Sequence, residues 1–213
     1  MVVAAARAVV VGFVAVAWQP RSSSLPRTAT IASAAARPPL VPKRGYVSVA
    51  DRRVMDTIRV VWGTGTGPTA VAAYDAALAE ANVHEYNLVR VSSVVPADAT
   101  VEAVGTAPDL GPAGDRLTVV EGRATVAPDE EGPAVATLSW ARAPGGPGLI
   151  YEAGGTDRAA VERRAETGLA ACCDLRDGDF DDRGRRTVSG PAPADAHATA
   201  VVLAAYGEST PLP

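Results

Sequence analysis

TIRVVWGTGTGPTAVAAYDAALAEAN, residues 57–82, changes its hydrophobic period partway along. Residues 57–62 are β-branched and apolar and read as a strand. Gly63, Gly65, Gly67 and Pro68 then punctuate the chain. Residues 69–82 read as a helix, with Pro68 just before it and Asn82 as a plausible C-terminal residue. Working outward, NLVRVS (87–92) is a second strand, and Pro96 with residues 98–100 turns the chain. Residues 116–126 and 134–142 are further strands, separated by the acidic turn PDEEGP, and GLIYE (148–152) is a short buried strand. Residues 157–172 are helical, with Asp157 near the start. ATAVVLAAY (198–206) is apolar throughout and fits a central strand or a helix; its Val-Val-Leu centre favours the strand. Strands outnumber helices and helices fall between them. The fold class expected is therefore an α/β sandwich with mixed or antiparallel sheets and helices packed outside.

With 213 residues, 47% of them hydrophobic, the chain suits one medium-sized domain. The net charge of −4 hides an asymmetry. Residues 1–54 carry eight Lys or Arg and a single acid, Asp51, whereas residues 55–213 carry twelve Arg, no Lys and twenty-three acids. So acidic a body disfavours nucleic acid and anionic membranes as partners. Cys172 and Cys173 are adjacent, which strains disulfide geometry, and two cysteines alone make no zinc site. They read as small buried side chains near a helix end. Nothing argues for an oxidising compartment, and the expected location is cytoplasmic.

The first fifty-four residues look foreign to the rest. Residues 2–18 are apolar apart from Arg7, which suggests a signal sequence or an anchor. The run is nevertheless shorter than the roughly 20 residues of a spanning helix and has no basic region ahead of it. A Pro-, Ser-, Ala- and Arg-rich stretch follows with no sustained period. The charge balance reverses near Met55. Residues 1–54 are therefore read as a disordered or mis-assigned extension, with a targeting segment as the alternative, and residues 55–213 as a single domain.

The glycine run is no Walker loop, since no Lys-Ser/Thr follows its last glycine, and Pro68 breaks the G-x-G-x-x-G spacing. A tight strand-to-helix connection that places the helix closely over the strand is the plainer reading. On that helix Val71, Tyr74, Asp75 and Leu78 share one face. Three suit a core; the fourth is a carboxylate, which needs a cation or hydrogen-bond donors. Asp75 is either an edge residue paired with an Arg of this chain or an acid facing a cleft that takes a cationic ligand. Ser92-Ser93, at a strand end, is uninformative alone, and Glu152 at the end of GLIYE would ordinarily be a surface acid. His84 and His197 have no spacing that suggests a metal or a triad.

In order and spacing, AAYDAAL (72–78), NLVRVSSVVP (87–96), GPGLIYE (146–152) and the closing ATAVVLAAY resemble the pyruvoyl-dependent arginine decarboxylases. The resemblance covers most of residues 57–206. Asn87, four intervening residues, Ser92-Ser93 and then Pro96 satisfy the family pattern. The segment 105–147 departs from it most.

The resemblance implies that the chain cuts itself between Ser92 and Ser93 into a β chain (55–92) and an α chain (93–213). Attack of the Ser93 hydroxyl on the Ser92 carbonyl, β-elimination and loss of ammonia would leave a covalent pyruvoyl group at 93. Asn87 resembles the residue that holds the scissile carbonyl, a role often worth about 3 kcal/mol in other acyl-transfer sites. The substrate, L-arginine, would form a Schiff base with the pyruvoyl ketone, lose CO2 and leave as agmatine. Glu152 matches the proton donor, delivered into a dry site. Asp75 and the backbone carbonyl of Val71 match the guanidinium acceptors. The family's members assemble as homotrimers or larger with sites between neighbouring subunits. Two alternatives remain open at this stage: a pyruvoyl enzyme for another amine such as S-adenosylmethionine, and a non-processing structural paralogue.

Overall fold

The computed structural model describes residues 57–191 and 194–213. The reading of residues 1–54 as an extension lies outside them. The described strands form two sheets (Thr57–Gly67, β1; Asn87–Arg90, β2; Val94–Val95, β3; Thr100–Gly105, β4; Arg116–Val126, β5; Val135–Arg142, β6; Gly148–Gly155, β7; Asp182–Ser189, β8; His197–Tyr206, β9). One sheet has the order β2-β5-β9-β1-β4, the other β3-β7-β6-β8. The first is mixed: β1 with β4 and β2 with β5 run parallel, while β9 is antiparallel to both its neighbours. The second is antiparallel throughout. Helix α1 (Ala70–Glu80) packs on the first sheet and α2 (Arg158–Cys173) on the second.

Burial explains this layering. Ile58, Val60, Val120, Leu138, Ile150 and Val202 alternate along their strands with residues of the opposite face and meet between the sheets. Val61, Val119 and Leu203 face α1, while Leu149 and Val135 face α2. β9 is a strand, buried from Ala198 to Tyr206, because it is covered on both faces and flanked on both edges. The sandwich expectation holds in this form, helix–sheet–sheet–helix.

Two local readings change. The glycines do not form the connection; Gly63, Gly65 and Gly67 are all within β1. A Cβ on them would lie 2.1 Å from Ala77 O, 2.4 Å from Ala77 N and 2.6 Å from Ala73 N, so they bring strand and helix backbones into contact. Thr69 alone caps the turn, its hydroxyl accepting from Ala72 N at 3.1 Å. Asn82 does end the helix, in the left-handed region at φ 58. Val83 N donates to Leu78 O and Asn82 N to Ala79 O, the paired bonds of a Schellman stop.

The second change concerns the helix face. The buried stripe of α1 is Ala73, Ala77 and Leu78; the two alanines lie against the strand glycines, while Leu78 joins the apolar cluster of Val61, Val83 and Leu203. Val71 is 76% exposed and Asp75 is exposed too. The carboxylate therefore carries no burial cost. β8 was not expected at all, because DRGRRTVS is mostly charged. It survives as an edge strand whose Arg186 guanidinium lies 3.6 Å from the centre of the Trp62 ring.

Candidate active site

Val91 N still donates to Val119 O in the first sheet, and Val94 already pairs with Leu149 in the second. Ser92 and Ser93 are thus the two residues by which the chain crosses between the sheets. Ser92 O accepts from Val94 N at 2.7 Å, closing a three-residue γ-type turn about Ser93. Ser93 O accepts from Ile150 N at 2.8 Å, and the Ser93 hydroxyl donates to Glu152 Oε2 at 3.0 Å. Gly154, two residues beyond Glu152, makes room for β5 to cross β7 there: a Cβ on it would lie 2.0 Å from Arg123 O.

A third strand anchors the turn. Tyr206, at the end of β9, donates its hydroxyl to Val94 O at 3.0 Å. Burial, and after it the charge of Glu152, pushes this phenol up to about 12, so it stays a donor through the physiological range. Sequence reasoning missed it. The available signal was a lone phenol closing an apolar strand, since a buried tyrosine hydroxyl needs a partner.

Ser92, Ser93 and Glu152 line one cavity of about 360 Å³, shared with Cys172 and Arg176. Cys173 is buried near the end of α2, as expected, whereas Cys172 is half-buried and opens onto this cavity. On its other flank Glu152 borders a hollow of about 300 Å³ with Arg90, Glu121 and Arg123. There Arg90 pairs with the buried Glu121 carboxylate, and the Arg123 guanidinium lies 4.5 Å from the centre of the Tyr74 ring. Burial, then Glu121, raises the Tyr74 pKa.

Other expected members of the site are not at Ser93. Asn87 spends its side-chain amide on Gly114 O and its backbone N–H on Asp115 O. Within the chain, Val94 N–H donates to the Ser92 carbonyl. Val71 and Asp75 sit on the outer side of α1, outside the Ser93 cavity, and among the described residues Asp75 makes no ion pair. Glu152 is exposed, so one protomer alone does not enclose it.

Residues 57–211 match the family model described as pyruvoyl-dependent arginine decarboxylase. Relatives from two strains of Halobacterium salinarum, each called a pyruvoyl-dependent arginine decarboxylase, are 56% identical over 159 residues. Those residues are 74% of this chain and 98% of each relative. The chain belongs to the pyruvoyl-dependent arginine decarboxylase family. Membership of that family implies a covalent pyruvoyl cofactor, and the turn at Ser93 fits one. The serine is half-buried, its hydroxyl is already oriented by Glu152, and its carbonyl is held by Ile150 N–H beside an open cavity.

Proposed function

We propose that this chain is a self-processing L-arginine decarboxylase, which makes its pyruvoyl group from Ser93 and forms agmatine and CO2. The observation that carries the reading is the Ser93 hydroxyl, held 3.0 Å from Glu152 in the turn that bridges the sheets. In processing, Ser93 Oγ attacks the Ser92 carbonyl carbon and the peptide nitrogen becomes the leaving group, giving an ester. Val94 N–H, at 2.7 Å from Ser92 O, is placed to stabilise charge on that oxygen. β-Elimination then frees a Ser92 carboxylate, and hydrolysis of the residual enamine consumes one water and releases one ammonia.

The pyruvoyl carbonyl, once formed, supplies the electrophile for the substrate amine and the electron sink for decarboxylation. Ile150 N–H holds the neighbouring Ser93 carbonyl, the oxygen on which that electron density collects. Tyr206 fixes the next carbonyl along. Glu152 is the proton donor to the α-carbon, and Asp75 with the Val71 carbonyl takes the guanidinium. Asn87 supports processing.

Asp75 and Glu152 serve one site only if copies of the chain come together, which supports a homotrimer or a larger assembly. Exposed apolar side chains at Val71, on the helix of Asp75, and at Val94, next to Ser93, are surfaces that such a contact would cover. The unpaired cysteines suit a cytoplasmic enzyme. Among the described residues no helix is long and apolar enough to cross a membrane, and the acidic body disfavours nucleic acid.

Intact mass and denaturing electrophoresis test the reading. Two chains joined at 92/93 are expected, with the larger blocked by pyruvoyl, along with CO2 release from L-arginine but not from S-adenosylmethionine. A single uncleaved chain after prolonged incubation would refute it, and Ser93→Ala should abolish the cut.

A further inference from the structure

The cavity at Ser93 has one acid, Glu152, and one cation, Arg176, in its lining. Arg176 lies in the turn just past α2, where its backbone N–H donates to Cys173 O at 2.9 Å. Its Nη1 donates to Cys172 O at 2.6 Å, one of the carbonyls that the last turn of a helix leaves without an intrahelical partner. This bond ties the side chain back to the helix end beside the cavity and uses a single donor of the guanidinium fork.

Among the described arginines only Arg90, Arg142, Arg158 and Arg185 meet an acid, and what sets the exposed Arg176 apart from the other unpaired ones is its place in the lining of the Ser93 cavity. Arg176 makes no ion pair there, although Asp174 and Asp177 are near it in sequence. Arg90 and Arg123 belong to the hollow on the far flank of Glu152, and Arg90 is already neutralised by Glu121. An uncompensated guanidinium thus lines the cavity where the reacting residue sits.

The proposed substrate supplies its partner. When the α-amine of arginine is at residue 93, the α-carboxylate must lie in the same cavity, and a planar guanidinium matches a carboxylate with two parallel hydrogen bonds. We propose that Arg176 is the carboxylate receptor of the Ser93 cavity and that it takes the α-carboxylate of the substrate. The inference rests on the decarboxylase reading above. It carries a kinetic sign: the contact is strongest to the intact carboxylate and fades as neutral CO2 forms. It therefore contributes to binding of the substrate rather than to the chemical step. Agmatine lacks the group, so the product loses the contact and leaves. The carboxylate freed at Ser92 by processing lines the same cavity and is the other possible claimant.

The test uses the mature enzyme and two ligands that cannot react. 5-Guanidinopentanoate keeps the guanidinium and the carboxylate but has no α-amine; pentylguanidine keeps the guanidinium alone. In calorimetric titration, Arg176→Gln should weaken binding of the first by about tenfold or more and leave the second within about twofold. Arg176→Lys, which keeps the charge without the fork, should fall between. In steady state, KM for L-arginine should rise by a similar factor while kcat rises or holds level, because a contact that fades before the transition state gives nothing to the chemical step. Equal losses for both ligands, or none, would overturn the inference and are what a role on the Ser92 carboxylate produces. Wild-type protein that stays uncut or releases no CO2 would sink the functional reading with it. Active wild type with an undiscriminating Arg176→Gln variant would sink this inference alone.

Discussion

Tyr206 can donate to the Val94 carbonyl only while it keeps its proton. Its folded pKa is about 12 against 10.0 for the ordinary group. The stability it contributes is therefore complete below the unfolded value and drains away as pH rises from there toward the folded one. Tyr206→Phe is expected to lose about 1 kcal/mol at neutral pH, because Val94 O is left without its partner. The difference between wild type and variant should shrink as the solution is made strongly alkaline; urea midpoints over that range check it. The same variant should slow the cut at 92/93, since the turn loses an anchor. Glu152→Gln keeps a side-chain oxygen within reach of the Ser93 hydroxyl, so cleavage should persist. Turnover, measured as CO2 release, should fall by about 10²-fold or more, the usual scale for removing a positioned acid. At this scale the residues themselves say little. Ser93 and Glu152 are 59 positions apart and Val94 and Tyr206 are 112 apart. No local spacing encodes either contact, and the first was legible only through the order of the family's fragments.

The glycines of β1 act through the element they belong to. At Gly65 an added Cβ would meet Ala77 N at 2.4 Å and Ala73 O at 2.6 Å, both backbone atoms that cannot turn aside. Gly65→Ala should therefore push α1 off its strand and cost about 3 kcal/mol, although alanine is otherwise the better residue for an ordered backbone. Gly145 is the contrast: its φ is +65 and nothing lies within 4 Å of a Cβ. Gly145→Ala should cost only about 1 kcal/mol of backbone strain. Urea unfolding of both variants measures the difference, and equal losses would contradict the close-packing role of Gly65. Elements whose apolar residues face a core were readable from the sequence, as β5, β9 and α2 were. β8 was not, because its partners Trp62 and Trp140 come from elsewhere in the chain and its own residues look solvated. On α1 the expected core face held for Leu78 and in part for Tyr74 but failed for Val71, for a related reason. Apart from Leu78 its buried stripe is alanine, which carries little hydrophobic signal, and the strand nearest it is glycine at every second position from 63 to 67, which carries none.

For the whole molecule, the separation of Asp75 from Ser93 decides how many chains make one site. Ser93 and Glu152 are joined by a hydrogen bond within a single protomer. Asp75 is exposed on a different element and outside their cavity. If a neighbouring copy brings its Asp75 to that cavity, two inactive variants should rescue each other when mixed. A protomer carrying Asp75→Ala still offers a complete Ser93–Glu152 pair, and one carrying Glu152→Gln still offers its Asp75. Co-expressed in equal amounts, they should regain about a quarter of wild-type CO2 release, the fraction of interfaces with both intact partners in a symmetric assembly. The pairing of Ser93→Ala with Glu152→Gln is the internal control. Those two residues must come from one chain, so mixing should recover nothing. Rescue in the control would show that Ser93 and Glu152 need not come from one chain, and failure of the first pair despite normal assembly by light scattering would show that the guanidinium acceptor is not Asp75 of a neighbour. The exposed Glu152 would then need some other cover to become an effective proton donor.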